Sequence, residues 1–473
     1  MSDPRPSPSP RGAVLPPHRP TAEDPLARAG SEFLGGPAGR RIGTPAPAWA
    51  RPLPVALALT TLAVVVGAVS KHRCRTDGWS TPGQFFHACY ADGPVVWASS
   101  GLATGAGPWS PGIALGQPPL TAVLTWFVGR FVPAGTGVET QRAYFDATAV
   151  VVLLCALGLV VVLSALLGRR GWDATLVALS PVLVLAGLVS FQLLGVLLAV
   201  AALAAWARRV PLLAGVLLGL AVAASTTAAL LLPALAILAL RAGRVPALLR
   251  LLASTVAVVA VVAIGLTVAV GGAWADYLTA GWGQRAGYGS PWLIPQLVQQ
   301  ATTSDPATAS GLPTRAVSVL AVLLGLGWVG FVLLLALSAP RRPRVAAVAF
   351  LLVAGVCVVA PAFPVQTSLW LLPLAVAALP SWRDHAVWWL AEAVHFGAVW
   401  LFIAGTSTPD RGLPAEFYAV AVVLRLAAIA WLVVRVVQDV RAPAGDVVRL
   451  GGVDDPAGGV LDRAPDRLVV RIA

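Results

Sequence analysis

The feature that constrains this chain most is a succession of apolar runs, most of them close to the length needed to cross a lipid bilayer as a helix. A spanning helix needs about 20 mostly apolar residues, because backbone groups without hydrogen bonds in hydrocarbon cost several kcal/mol each. The chain is 58% hydrophobic and only 11% charged, which a water-soluble protein of this size does not tolerate. The runs are helical in length, unlike ten-residue alternating strands. We therefore expect an all-α, polytopic membrane protein.

The apolar runs predict twelve transmembrane helices. They lie near residues 52–69, 146–167, 174–189, 191–207, 211–224, 227–240, 250–271, 314–338, 344–360, 367–380, 386–403 and 417–438. The apolar segment 120–132 has only 13 residues and follows two prolines. We expect that segment to form a re-entrant or interfacial helix rather than a span.

The arginines predict the orientation of the chain. The net charge of +12 comes largely from arginine clusters between apolar runs, which places those connections in the cytoplasm and argues against nucleic-acid binding. Residues 1–50, rich in Pro, Ser, Arg and Gly, are predicted to be a disordered cytoplasmic tail. Residues 51–440 form the membrane domain, and 441–473 are a second cytoplasmic tail. Loops 70–145 and 272–313 then face outward from the cell membrane.

The first outer loop is expected to be structured. It is rich in aromatic residues and contains two of the four cysteines, Cys74 and Cys89, and long loops with apolar content of their own usually fold. In an oxidising compartment a Cys74–Cys89 disulfide would close a short loop, which is worth about 3 kcal/mol. No CxxC motif or histidine cluster suggests a metal, and no cofactor is expected.

Few ionisable residues fall in the outer loops, where we expect a site. Asp92 follows the second loop cysteine and suits a general base that deprotonates an acceptor hydroxyl, although an N-cap or surface carboxylate is the simpler interpretation. Arg285, among glycines, suits a phosphate ligand, a pair with Asp276 or contact with lipid headgroups. Three glutamines at outer helix ends suit hydrogen bonds to sugar hydroxyls or a plain interfacial role: Gln117, Gln192 and Gln366.

Glu392, His395 and Arg425 lie on two adjacent apolar runs. Such a set suits a proton relay, an ion pair between packed helices or an Arg425 side chain that extends to the membrane surface. The last two are favoured over the relay, because other spans carry no matching charges.

Two motifs of the first outer loop, CRTDGW at 74–79 and HACYAD at 87–92, resemble that loop in actinobacterial integral membrane proteins of glycosyltransferase family 87. These are GT-C-type enzymes related to polyprenyl-phosphate-mannose-dependent alpha-mannosyltransferases. Other similar stretches are LGGPAGRR at 34–41, WARR at 206–209, GVLLGL at 215–220, LWLLPLAV at 369–376 and WRD at 382–384.

The resemblance implies a GT-C fold in which a first-loop aspartate deprotonates the acceptor and outer cations hold a lipid-linked sugar phosphate. Asp92 matches that aspartate, and Arg285 and Gln366 match donor-binding positions. The other candidate residues that line the site are Asp77, Tyr90, Gln117, Gln192 and Trp370.

Several family residues are replaced. Gln117 stands where relatives usually have Glu, and the stretches at 190–192, 225–228 and 361–362 replace Asn-Trp-Asp, Lys-Leu-Tyr-Pro and Asn-Lys. Losing two carboxylates and two lysines should weaken phosphate and sugar binding.

Three functions are compatible with these observations. The first is a divergent glycosyltransferase that moves a hexose, mannose by resemblance, from a polyprenyl-phosphate sugar to an outer lipid or glycan acceptor. The second is a catalytically inactive relative that binds lipid or acts as a scaffold. A transporter is disfavoured, because no inverted repeat or midplane ionic pair is evident.

Overall fold

The computed structural model describes residues 24–26, 29–30, 49, 51–113, 115–280, 282–303, 305, 308–408, 411–449 and 454–470. Most of the N-terminal tail lies outside the described residues, and its disorder stays a prediction. The first helices are α1 (Pro52–Ser70), α2 (His72–Asp77), α3 (Gly83–Phe86), α4 (Asp92–Ser99), α5 (Pro119–Gly129), α6 (Val138–Leu167), α7 (Thr175–Leu179), α8 (Pro181–Ala186), α9 (Gln192–Ala207) and α10 (Pro211–Ala224). They are followed by α11 (Leu231–Arg241), α12 (Val245–Val270), α13 (Asp276–Ala280), α14 (Ile294–Thr302), α15 (Thr314–Ser338), α16 (Val345–Val359), α17 (Ser368–Ala378), α18 (Trp382–Ser407) and α19 (Ala415–Arg441).

The helical membrane architecture agrees with the sequence prediction. Six helical stretches are long and apolar enough to cross a bilayer: Pro52–Ser70, Val138–Leu179, Val245–Thr279, Thr314–Ser338, Trp382–Ser407 and Ala415–Arg441. Helices α12 and α15 expose large apolar side chains, including Val261 (71%), Val268 (84%) and Leu326 (65%), a surface suited to hydrocarbon. The chain is therefore a multi-helix membrane protein. Six further apolar helical stretches have 10–17 residues, so the count of twelve spans stays a prediction.

The segment predicted as one span at 174–189 is instead two short helices, α7 and α8. Ser180, between them, has an extended backbone (φ −70°, ψ 127°) and is followed by Pro181. The residue before a proline avoids the α conformation, and the proline itself lacks an N–H donor. The segment is therefore a broken helix, and because broken helices also occur in membrane-spanning segments, the span at 174–189 stays a prediction.

Helix α5 contains the apolar segment that we expected not to span. It has 11 residues, which corresponds to about 17 Å at 1.5 Å per residue. The hydrocarbon core of a bilayer is about 30 Å thick, so α5 alone does not reach across it. The helices α11 and α17 also have 11 residues, so the non-spanning of this segment stays a prediction.

The described part of the second predicted tail packs against the ends of the helices. We call residues 442–449 and 454–470 the C-terminal strap. Within it, Asp446 pairs with Arg344 at 2.7 Å, and Asp466 bridges Arg241 at 2.7 Å and Arg342 at 2.9 Å. The strap therefore neutralises arginines that the sequence pattern indicated only as markers of the cytoplasmic side of the membrane.

The strap and the first loop lie at opposite ends of α9. This helix begins at Gln192 and ends at Ala207, directly before Arg208. Its 16 residues separate the two ends by about 24 Å. The outward side of the first loop and the cytoplasmic side of the strap stay predictions.

Candidate functional site

The first loop is folded around a disulfide. Cys74 and Cys89 are bonded, with their Cα atoms 5.8 Å apart. The indole N–H of Trp79 donates to the carbonyl of Cys89 at 3.1 Å. The chain that leads to Asp92 is thus held covalently and by a buried hydrogen bond.

Maleimide labelling of the denatured protein tests this disulfide. Without reductant we expect only Cys155 and Cys357, the two free buried thiols, to react, whereas reduction should add Cys74 and Cys89. Denaturation removes protection by burial, so the free thiols serve as the internal control. Peptide mass spectrometry reads each position, and labelling of all four without reductant would contradict the disulfide.

Lys71, the only lysine of the chain, fixes the same loop from the end of α1. It is fully buried, and its ammonium donates to the carbonyls of Ala88 (3.0 Å) and Tyr90 (3.2 Å). Burial lowers the pKa of Lys71 to about 7. Beyond these contacts, the N–H of Asp92 donates to the carbonyl of Val189 at 2.7 Å. The backbone around Asp92 is therefore held in place before any ligand binds.

Asp92 lines a cavity of about 190 Å³ between the first loop and the ends of several helices. This volume is below the ~300–1,000 Å³ of pockets for drug-sized ligands, so the cavity suits a ligand of about one sugar ring. The lining is polar on several sides and comprises Asp92, Gly93, Gly116, Gln117, Pro118, Thr121, Thr125, Thr148, Ser190, Phe191, Gln192, Ala224 and Gln366.

The environment of Asp92 favours a base that works near neutral pH. Burial raises the pKa of Asp92 to about 6, and a hydrogen bond with Tyr90 opposes part of that rise. The ring of Tyr90 is stacked with that of Phe85 at 5.6 Å between centroids. A carboxylate with this pKa is mostly ionised at pH 7 and binds a proton more tightly than an exposed aspartate does.

The three glutamines that sequence analysis singled out all line this cavity, and two are held by neighbours. The indole of Trp370 donates to Oε1 of Gln192 at 2.8 Å. Because an indole can only donate, this contact turns the amide N–H groups of Gln192 away from Trp370. Oε1 of Gln117 lies 2.8 Å from the Thr125 hydroxyl. Gln366 makes no side-chain hydrogen bond within the described part of the chain.

Two further polar residues of the wall were not predicted. The hydroxyls of Thr148 and Ser190 are buried and have no hydrogen-bond partner among the described residues. A buried hydroxyl without a partner costs about 1–3 kcal/mol, so a polar ligand that satisfies both would gain that free energy. Thr148 lies within the apolar run of α6, where a lone threonine gives no sequence signal.

Four of the predicted site residues do not line the cavity: Asp77, Arg285, Tyr90 and Trp370. Asp77 is exposed and pairs with Arg73 at 2.8 Å. Arg285 is also exposed, and no pair between it and Asp276 occurs in the described structure. The described lining contains no lysine, arginine or histidine. The wall therefore offers one carboxylate and neutral polar groups.

Glu392 and Arg425 form an ion pair at 3.1 Å between α18 and α19. His395 is buried, and neither ring nitrogen has a hydrogen-bond partner among the described residues. The geometry is thus that of a buried ion pair, without the hydrogen-bonded chain that a proton relay needs.

Comparison of the chain with protein-family models, with characterised proteins and with solved structures finds no match.

Proposed function

We propose that the chain is a divergent membrane glycosyltransferase. It moves a hexose, with mannose as the first candidate, from a polyprenyl-phosphate sugar to a lipid or glycan acceptor outside the cytoplasm. The observation that carries the proposal is Asp92, a carboxylate with a pKa of about 6 in the wall of a cavity lined by amides and hydroxyls. General-base catalysis is most efficient when the pKa of the base lies near the working pH.

The proposed reaction is a single displacement. The Asp92 carboxylate takes the proton of an acceptor hydroxyl, and the acceptor oxygen attacks the anomeric carbon of the donor. The bond from that carbon to the phosphate oxygen breaks, and polyprenyl phosphate leaves with the bonding electrons. Attack from the face opposite the leaving group inverts the configuration at the anomeric carbon.

The wall supports binding of the uncharged sugar ring more than binding of phosphate. Gln192 and Gln366 offer amides for sugar hydroxyls, and Asp92 repels a second negative charge. The donor phosphate is therefore proposed to lie beyond the cavity. Arg285 is the proposed cation for it, because its loop contacts the segment that leads to the cavity wall. Gly287, two residues after Arg285, donates its N–H to the carbonyl of Pro361 at 2.9 Å. Pro361 in turn lies five residues before Gln366.

A catalytically inactive relative that binds sugar or lipid is the second candidate. The observation that favours it is the lack of any cation among the described lining residues. Such a protein would bind a ligand in the cavity without transferring a sugar. Both proposals place the cavity on the outer side and the C-terminal strap in the cytoplasm, as the arginine pattern predicts.

The test is transfer by purified protein in lipid nanodiscs, supplied with a panel of polyprenyl-phosphate hexoses and a glycolipid extract as acceptor. The proposal expects a new glycoside whose anomeric configuration is opposite to that of the donor bond. Binding of donor or acceptor without product, under conditions where an active family 87 enzyme forms product, would favour the inactive relative. A product with retained configuration would contradict the single displacement.

A further inference from the structure

A gain in stability does not explain the burial of the ion pair between Glu392 and Arg425. Their side chains are 5% and 0% exposed. Burying two charges costs free energy that the pair only partly recovers, and well-packed apolar side chains usually stabilise such a position as well or better. The role of the pair therefore follows from the residues that it holds in place.

Arg425 holds the segment that carries Gln366. Its Nη1 donates to the carbonyl of Phe363 at 2.5 Å, and its guanidinium lies 3.8 Å from the centroid of the Phe363 ring. Its Nη2 donates to the hydroxyl of Ser368 at 2.8 Å and to the carbonyl of Pro364 at 3.3 Å. These contacts lie on both sides of Gln366 in the chain.

Glu392 completes the arrangement from α18. Its Oε1 accepts hydrogen bonds from the hydroxyl of Ser368 at 2.8 Å and from the indole of Trp388 at 3.0 Å. The carboxylate and the guanidinium of Arg425 thus converge on one serine. Ser368 is the first residue of α17, the helix that also carries Trp370, the partner of Gln192.

The loop that carries Arg285 is joined to the same segment. The N–H of Phe363 donates to the carbonyl of Tyr288 at 3.2 Å, and the N–H of Gly289 donates to the hydroxyl of Tyr418 at 2.9 Å. Gly289 has φ +75°, and a side chain there would overlap the Phe363 carbonyl and Nη1 of Arg425. The close approach of the two segments therefore requires glycine at this position.

We propose that Glu392 and Arg425 are positioning residues that set the Gln366 amide in the wall of the cavity. Gln366 has no side-chain hydrogen bond of its own among the described residues, so its placement depends on its backbone. That backbone, in the turn 365–367, is fixed on both sides by the ion pair. The inference concerns the cavity and holds whether or not the protein transfers sugar.

Thiol modification at a single position tests this role. Cysteine is placed at Gln366→Cys, or at Thr121→Cys on α5, which lines the same cavity but does not contact the ion pair. The rate of reaction with a small methanethiosulfonate reagent is then measured in nanodiscs, and unmodified protein corrects for the native thiols. Glu392→Gln should raise the rate at position 366 about tenfold, since loss of these hydrogen bonds frees the turn. The rate at position 121 should stay within about twofold.

Two further variants keep the test decisive. Asp77→Asn removes the carboxylate of an exposed arginine pair in the first loop, away from the cavity, and should leave both rates unchanged. If Glu392→Gln does not fold, Ser368→Ala removes only the shared hydroxyl and should raise the rate at position 366 in the same direction. Equal rates at position 366 with and without Glu392→Gln or Ser368→Ala would overturn the proposal. So would an equal rise at positions 366 and 121, which indicates general loosening.

Discussion

Replacing Asp92 with asparagine is expected to lower the rate of sugar transfer about 10²- to 10⁴-fold at pH 7.5, the range that a positioned general base contributes. Asparagine has nearly the same shape, so the cavity and its bound ligand should persist. Its amide cannot accept the proton of the acceptor hydroxyl. Single-turnover transfer in nanodiscs measures the chemical step directly.

Asp77→Asn is the matched control for this change. Asp77 lies in the same loop, but its side chain is 52% exposed and pairs with Arg73 away from the cavity. It should leave the transfer rate unchanged. Equal loss of transfer in both variants would point to disturbance of the loop, and normal transfer by Asp92→Asn would remove Asp92 from the mechanism.

The second large effect concerns the C-terminal strap. Asp446→Asn should lower the free energy of unfolding by about 3–5 kcal/mol, the usual cost of leaving a buried charge without its partner. Arg344 is only 3% exposed and lies 2.7 Å from Asp446. Its remaining donors bind the carbonyls of Ala377 and Ala378 at the end of α17, which do not neutralise its charge. Unfolding in mixed micelles at increasing denaturant measures the change.

A double variant separates the cost of an unpaired charge from the value of the pair. Arg344→Met with Asp446→Leu should recover part of the lost stability, because it removes the unpaired charge of Arg344, whereas Arg449, which lies 3.5 Å from Asp446, still loses its partner. Asp77→Asn, in an exposed pair, should change the stability by less than about 1 kcal/mol. A change of that small size for Asp446→Asn would mean that the strap does not hold the helices.

The sequence predicted those parts of the fold that local patterns determine. Apolar run length and the aromatic content of the first loop predicted membrane helices and a folded loop, and both are present. The break at Pro181 also had a local signal, since the residue before a proline avoids helix. The packing of the strap had no local signal, because the pairing of Arg344 with Asp446 joins positions 102 residues apart.

The candidate site was predictable only in part, for the same reason. Asp92, Gln117, Gln192 and Gln366 stood out as polar residues at apolar boundaries, and the structure brings all four to one cavity. Two other features depend on contacts between distant segments and had no local signal. Lys71 anchors the first loop, and Arg425 holds the turn at 365–367. The roles assigned to these residues stay predictions.

The most direct test of the central claim is the pH dependence of kcat/KM for transfer of mannose from polyprenyl-phosphate mannose. Because burial raises the pKa of Asp92 to about 6, kcat/KM should fall about tenfold per pH unit below pH 6 and level off above it. Asp77→Asn should keep this profile, and Asp92→Asn should lose the acidic limb along with most of the rate. A wild-type profile that is flat from pH 4.5 to 7.5 would contradict the account.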